Sequence, residues 1–220
     1  MSLSFQETPI LLVVCFSCLL FLPMNTSPES GSWGEHVEQT KTRPPSEELL
    51  RALKHVSTSG TTALELGGGA LNDTQFLLKE GWKVTVVDAE PKVAEIADGL
   101  GMDTLVAYTS TFDAYDFPAE TYDLVNAMYS LSFNQPETFM DMMNRMKASI
   151  VKGGIFNGNI FGVHDEWKDN GEMTFLNRVQ AEKLFEDMEI IEFKEVERDN
   201  ILANGTPKHW HVFKVIARKM

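Results

Sequence analysis

Cysteine is nearly absent from this sequence. The only two, Cys15 and Cys18, lie close together in one apolar stretch near the N-terminus of the 220-residue chain. The rest of the chain therefore has neither a disulfide framework nor a thiolate metal site. The sequence also lacks internal repeats and low-complexity tracts, and 43% of its residues are hydrophobic, which indicates a globular domain.

Basic residues are scarce as well. Lys and Arg number 19 against 32 Asp and Glu, which gives a net charge of −13 at pH 7. A surface this acidic repels phosphate backbones, and the sequence shows no local basic patch. We therefore expect no nucleic-acid partner.

A long hydrophobic run is missing too. The apolar run from Ile10 to Leu22 is broken only by Ser17 and would make a helix of roughly 20 Å, whereas a bilayer core measures roughly 30 Å. Its length suits a signal peptide, but the residues before it include Glu7 and no Lys or Arg. Three interpretations stay open: a weak signal or anchor, an interfacial segment with weak membrane association, or residues upstream of a true start at Met24.

The chain after Met24 is typical of a complete cytoplasmic domain. We therefore expect residues 1–30 to form an apolar leader and linker outside the core, and residues 31–220 to form one domain. This favours a cytoplasmic location, with membrane anchoring through residues 10–22 as the alternative. Residues 24–45 are polar and rich in Ser, Thr, Gly and Pro, which indicates a leader or flexible lid.

Short apolar segments alternate with helical patterns along the rest of the chain. Ser46 is expected to cap the first helix, and a long helix is expected over residues 136–151. This alternation predicts an α/β fold: a doubly wound, mostly parallel, seven-stranded Rossmann-like sheet with an antiparallel C-terminal edge hairpin. The strands are expected at residues 62–66, 83–87, 104–107, 122–127, 155–161, 189–197 and 209–217.

A glycine-rich turn follows the first strand. Gly67 to Gly69 stand where the strand meets a helix, which we expect Asp73 to cap, and glycines there let a ligand approach the backbone. Asp88 comes nineteen residues after Gly69, at the end of the second strand. A carboxylate at that spacing can accept both hydroxyls of a ribose. The pattern predicts an adenosine-containing ligand at the carboxyl edge of the sheet.

The residues around the turn distinguish between adenosine ligands. A dinucleotide fingerprint would require a third glycine where Asn72 stands. Glu65, just before the turn, is badly placed for a pyrophosphate but well placed for an ammonium and a sulfonium. S-adenosylmethionine carries both groups and no phosphate, so the turn favours this methyl donor over NAD.

Four segments follow one another along the chain: Glu65-Leu-Gly-Gly-Gly69, Val86-Val-Asp-Ala89, Tyr122-Asp-Leu-Val-Asn-Ala127 and Lys152-Gly-Gly-Ile-Phe156. In order and spacing they resemble the consecutive motifs of class I S-adenosylmethionine-dependent methyltransferases, and the resemblance covers about residues 33–220. Within it, other segments look like a bacterial small-molecule group near the tellurite-resistance methyltransferases: Trp33, Arg43-Pro44-Pro45, Asn126 to Phe133 and Lys208 to Phe213.

The resemblance implies roles for individual residues. Thr111 and Phe112 occupy the adenine-contact position, and Ala127 to Tyr129 would line the donor methyl group. Two residues depart from the family pattern: Leu71 stands where many members have a third glycine, and Thr111 where many have Asp. The implied cofactor-binding set is Trp33, Arg43, Glu65, Gly67, Gly68, Gly69, Asp88, Ala89, Thr111, Phe112 and Ala127.

Residues on the acceptor side are fewer. Methyl transfer is an in-line displacement that needs alignment and exclusion of water, and a base only where the acceptor must lose a proton. We take His164, in a carboxyl-edge loop, and Tyr129 as the catalytic candidates. His209 and His211 share a strand face and could bind a metal with His164, but the usual ligand spacing is missing, so we predict no metal.

The expected activity is enzymatic transfer of a methyl group from S-adenosylmethionine to a small-molecule acceptor. Two alternatives stay open. One is an NAD-dependent oxidoreductase on a similar Rossmann sheet, and the other is a non-catalytic module that binds S-adenosylmethionine.

Overall fold

The computed structural model describes residues 33–57 and 61–220. The predicted leader at residues 1–30, with its apolar run, lies outside these residues and stays a prediction. Within the described ranges, no helix combines the length and the apolar character needed to cross a membrane.

One sheet of seven strands organises the chain. The strand order is β3-β2-β1-β4-β5-β7-β6; the first five strands pair in parallel, and β7 runs antiparallel to both of its neighbours. The predicted fold class is therefore confirmed. The strands are β1 Thr62–Leu66, β2 Lys83–Asp88, β3 Leu105–Thr109, β4 Tyr122–Ala127, β5 Ile150–Phe161, β6 Met188–Ile201 and β7 Pro207–Lys219.

Helices cover both faces of the sheet. Each face carries its own apolar cluster, because the central strands are buried on both sides and present aliphatic residues in both directions. Two short 3₁₀ turns, Leu53–His55 and Leu131–Phe133, complete the connections. The α-helices are α1 Trp33–Thr40, α2 Glu47–Ala52, α3 Asn72–Lys79, α4 Pro91–Leu100, α5 Pro136–Ser149 and α6 Arg178–Lys183.

One local prediction was wrong, and another is tested only in part. Of the expected leader or flexible lid at residues 24–45, the structure describes residues 33–45, which contain helix α1 with Val37 and the side chain of Thr40 buried. Asp73 does not cap α3: Leu71 holds the N-cap position without a capping side chain, and Asp73 lies in the first turn. Its carboxylate instead accepts hydrogen bonds from the backbone N–H of Ser46, at 2.6 Å, and from the Ser46 hydroxyl, at 2.7 Å. Asp73 therefore joins α3 to the start of α2.

The C-terminal hairpin is longer than predicted and reaches beyond the sheet. Strand β5 ends where Phe161 pairs with Val212, but β7 continues in register with β6 down to the pair of Ile201 and Pro207. We call residues 197–201 and 207–211 the hairpin extension. Because β5 runs parallel to β1 and β4, this extension lies at the carboxyl edge of the parallel strands, where the ligand is expected.

Candidate active site

The glycine turn after β1 is shaped by close packing. Gly67 has a φ of +79°, and a Cβ added to it would lie 2.4 Å from the Cβ of Ser130. A Cβ on Gly68 would lie 2.6 Å from the Val86 side chain. Both positions therefore require glycine. Leu71, at the position where a third glycine was expected, is fully buried and takes the left-handed backbone itself, with a φ of 59°.

A row of buried polar side chains crosses the sheet beside the turn. The strand register places Glu65, Asn126 and Asn157 side by side on β1, β4 and β5. The Asn157 amide donates to the Asn126 carbonyl oxygen at 2.7 Å. The Asn126 amide in turn donates to Glu65, at 3.2 Å, and to Asp73, at 3.0 Å. The Thr74 hydroxyl completes the network at 2.9 Å from Glu65.

This row holds two carboxyl groups together. Burial raises the pKa of Glu65 well above its ordinary value, and the neighbouring carboxyl group of Asp73 raises it further, although hydrogen bonds from Thr74 and Asn126 oppose the shift. A cation placed here would relieve both effects. The arrangement is therefore suited to an ammonium group.

Asp88 connects the end of β2 to the turn. Its carboxylate accepts the Gly69 N–H at 3.1 Å and the Glu90 N–H at 2.9 Å. Burial raises the pKa of Asp88, while these backbone hydrogen bonds lower it in part. Ala89 follows directly in the chain. The predicted ribose-binding carboxylate thus stands within hydrogen-bond distance of the glycine turn.

A cleft of about 430 Å³ opens above the turn. Seven of the predicted site residues line it: Trp33, Arg43, Glu65, Gly67, Gly68, Gly69 and Tyr129. Asp88, Ala89, Thr111, Phe112, Ala127 and His164 do not line it.

The remaining predicted donor contacts lie around the turn. The Phe112 ring packs beside it, with Cζ 3.7 Å from a Cβ built on Gly67. Thr111 is exposed, and Ala127 is fully buried. The structure therefore brings Phe112 to the turn, whereas Thr111 faces solvent.

Tyr129 stands at the cleft in a strained backbone. Its φ of 55° is left-handed, which costs a non-glycine residue about 1–3 kcal/mol. Its backbone N–H donates to the Asn159 side chain at 2.7 Å, and its ring lies 5.4 Å from the Trp210 ring. These contacts hold the tyrosine at the edge of the sheet, next to Met128 in the cleft.

His164 lies outside the lining of the cleft. Its side chain is 62% exposed, its Nδ1 lies 3.2 Å from Glu197, and its ring stacks on His211 at 4.8 Å. The His164, Glu197 and His211 ligand atoms all fall within 4.8 Å of one another. Both His211 nitrogens already have partners: Nδ1 accepts the His164 N–H, and Nε2 lies 3.0 Å from Glu195.

Helix α1 and the C-terminal hairpin complete the cleft. His36 of α1 lines it; its Nδ1 is buried without a hydrogen-bond partner in the described part of the chain, and burial followed by the charge of Arg43 lowers the pKa of His36. The hairpin extension also lines it, through residues such as Arg198 and Trp210. The alternation of polar and apolar residues in the last two strands indicated the hairpin. It did not indicate that β6 and β7 continue beyond the end of β5.

Comparison with known proteins gives one family match. Residues 64–156 match the family model described as a methyltransferase domain. This part of the chain is therefore similar to methyltransferase domains. The match spans the stretch from β1, with the glycine turn, through Asp88 and into β5. No curated protein matches the chain.

Solved structures of methyltransferases share the fold. TehB from Haemophilus influenzae aligns with a TM-score of 0.66 and 18% identity, over 80% of this chain and 62% of that one. The chain thus spans less than two thirds of the length of TehB. The 1,6-didemethyltoxoflavin-N1-methyltransferase of Burkholderia thailandensis gives a TM-score of 0.59 at 17% identity, over 79% and 76% of the two chains.

A third structure covers more of both chains. The N-methyltransferase NodS from Bradyrhizobium japonicum, in complex with S-adenosylhomocysteine, aligns with a TM-score of 0.60 at 15% identity, over 86% of this chain and 99% of that one. At these identities the likeness shows the fold. Together with the match over residues 64–156, it confirms the predicted resemblance to methyltransferases and the Rossmann-like fold.

Proposed function

We propose that this protein transfers a methyl group from S-adenosylmethionine to a small-molecule acceptor by in-line displacement. The observation that carries the proposal is that three features lie together at one edge of the sheet. They are the buried carboxyl group of Glu65, which a cation would stabilise, the glycine turn, whose backbone a ligand can approach, and the Asp88 carboxylate, 3.1 Å from the Gly69 nitrogen. When bound, S-adenosylmethionine supplies a methyl group already activated by a sulfonium.

The residues present fit this donor. The amino group of its methionine part suits Glu65 and Asp73, and the carboxylate suits Arg43, which lines the cleft. Asp88 would bind the ribose, with Ala89 beside it. The ring of Phe112 would cover one face of the adenine, so that the donor would lie across Gly67 to Gly69.

The acceptor would enter from the side of α1 and the hairpin extension. Trp33 packs edge-on against Phe133 at 4.9 Å, so α1 forms one apolar wall. Tyr129 would stand at the donor methyl group and fix the direction of approach. These walls exclude water, which is the main catalytic contribution that methyl transfer requires. The proposal gives no part to His164, which lies outside the cleft lining.

Two features disfavour an NAD-dependent oxidoreductase. Asn72, where a dinucleotide fingerprint has glycine, uses its side-chain amide to hold the Thr40 carbonyl oxygen of α1 at 3.0 Å. Glu65 would face a pyrophosphate with a carboxyl group. The non-catalytic binding module stays the second candidate, since it would keep the same donor site. A cytoplasmic location and weak membrane association through residues 10–22 also remain predictions.

Calorimetry on the full chain tests the proposed donor site. We expect S-adenosylmethionine and S-adenosylhomocysteine to bind, NADH not to bind, and Asp88→Ala to weaken binding by at least about tenfold, because the ribose loses its acceptor. Asp116→Ala, which removes an exposed acid outside the cleft lining, serves as the control. Binding of NADH alone, or unchanged affinity in Asp88→Ala, would refute the proposal.

A further inference from the structure

The hairpin extension has two faces of different character. On one face, acidic residues of β6 pair with histidines: His209 lies 2.8 Å from Asp199 through Nδ1 and 3.2 Å from Glu197 through Nε2. On the other face, Val196, Arg198 and Asn200 line the cleft. Because side chains alternate along a strand, the acids of β6 cannot turn to neutralise Arg198.

Arg198 has no ion pair with a carboxylate among the described residues. The chain has six arginines, and four of them, Arg51, Arg145, Arg178 and Arg218, pair with acids within the described residues. The other two, Arg43 and Arg198, have no such pair within residues 33–57 and 61–220, and both line the cleft. In a chain of net charge −13, two unpaired guanidinium groups in one cleft indicate a ligand with anionic groups.

Aromatic rings stand next to Arg198. The strand register places Arg198 directly opposite Trp210. The Trp210 ring packs 5.6 Å from Phe161 and 5.7 Å from Trp167, and all three rings line the cleft. Such a wall favours a flat aromatic ligand, because offset and edge-on ring contacts add to the burial of apolar area.

A buried cation sets the charge preference of this wall. The Lys208 ammonium lies 3.9 Å from the Trp210 ring centroid and 4.1 Å from that of Trp167, and it is paired with Asp165. The Trp167 and Trp210 rings already make cation–π contacts with this ammonium, so their cation–π attraction for a second cation is weaker. A cationic acceptor is therefore disfavoured at this wall.

With the proposed donor bound, its carboxylate would occupy Arg43 and its ammonium would occupy Glu65. Lys214 also lines the cleft but is paired with Glu48, so that the sulfonium and Arg198 remain as cations without an acid partner among the described residues. Building on the proposed function, we propose that the acceptor is a planar aromatic compound that carries an anionic group, with its ring against Trp210 and its anion on Arg198. Arg198 is then a specificity-determining residue rather than a catalytic one.

Binding of two isosteric probes tests this charge preference. With the full chain saturated in S-adenosylhomocysteine, quenching of tryptophan fluorescence would report the affinities for 2-naphthoate and for neutral 2-naphthamide. We expect naphthoate to bind about tenfold more tightly, and Arg198→Gln to abolish the difference while leaving naphthamide unaffected. Arg198→Lys, which keeps the charge, should restore part of the preference.

The control removes the same charge elsewhere. Arg178→Gln changes an exposed arginine of α6 that pairs with Glu182 and Glu195, and it should keep the full preference for naphthoate. Equal affinity for the two probes in the wild type, or a preference that survives Arg198→Gln, would overturn the inference alone. Failure of S-adenosylhomocysteine to bind in calorimetry would overturn the proposed function and the inference with it.

Discussion

Glu65 is a buried carboxyl group of the candidate site. Burial and then the neighbouring Asp73 carboxyl group raise its pKa, and the two share the Asn126 amide. Two hydrogen-bonded neighbours, Thr74 and Asn126, hold the side chain in place instead of a cation. A site that keeps two carboxyl groups together in the interior gains when an ammonium arrives, and this links the stability of the free protein to donor binding.

We predict that Glu65→Gln stabilises the free protein at neutral pH but weakens donor binding. A raised pKa in the folded state means that stability is lost as the pH rises above the ordinary value of about 4.5. The glutamine variant should therefore melt above the wild type at pH 7 and no higher than the wild type near pH 4. Calorimetry should show S-adenosylmethionine binding at least about tenfold more weakly.

Thr74→Val is the matched control, since it removes one hydrogen bond to Glu65 but keeps the carboxyl group. It should weaken the donor less than Glu65→Gln does. A glutamine variant that melts below the wild type at pH 7, with unchanged donor affinity, would contradict the role given to Glu65.

At the scale of elements, the hairpin extension joins a charged outer face to the cleft. Asp199 and Glu197 hold His209 on the outer face, while Arg198 and Trp210 stand on the inner one. Protonation of His209 is the step that strengthens the outer pairing.

We predict that His209 keeps its proton above pH 6.5. The hydrogen bond with Asp199, followed by that with Glu197, raises its pKa. The stabilisation from a raised pKa is complete below about pH 6.5 and is lost as the pH rises through the folded value, so the backbone amides of the extension should exchange more slowly at pH 6 than at pH 8.5, after correction for intrinsic rates.

NMR titration of the imidazole measures the effect, and Asp199→Asn should move the midpoint back toward 6.5. A midpoint at or below 6.5 in the wild type would contradict the prediction.

The sequence predicted what depends on local pattern. The strand–helix alternation, the turn at Gly67 to Gly69 and the distance to Asp88 follow from neighbouring residues, and the structure places them together. The polar row across the sheet depends on strand register, which brings together residues such as Glu65 and Asn126 from distant parts of the chain. The contact of His164 with Glu197 depends on the length of the C-terminal hairpin. Helix α1 was missed because its short sequence is as polar as the loop around it.

At the scale of the whole molecule, charge is distributed unevenly. The chain carries a net charge of −13, yet its cleft holds two arginines without acid partners in the described ranges. The overall field attracts a cationic donor such as S-adenosylmethionine and repels anions. An anionic acceptor would therefore depend on the local arginines for its binding, which makes the cleft selective against anions that cannot also stack.

A crystal structure of the full chain with S-adenosylhomocysteine would test the proposed donor site. We expect the ligand across Gly67 to Gly69, with both ribose hydroxyls within hydrogen-bond distance of the Asp88 carboxylate and the amino group directed at Glu65. The sulfur should then face Tyr129 in the cleft. A ligand bound elsewhere, or one whose ribose contacts no carboxylate, would contradict the account.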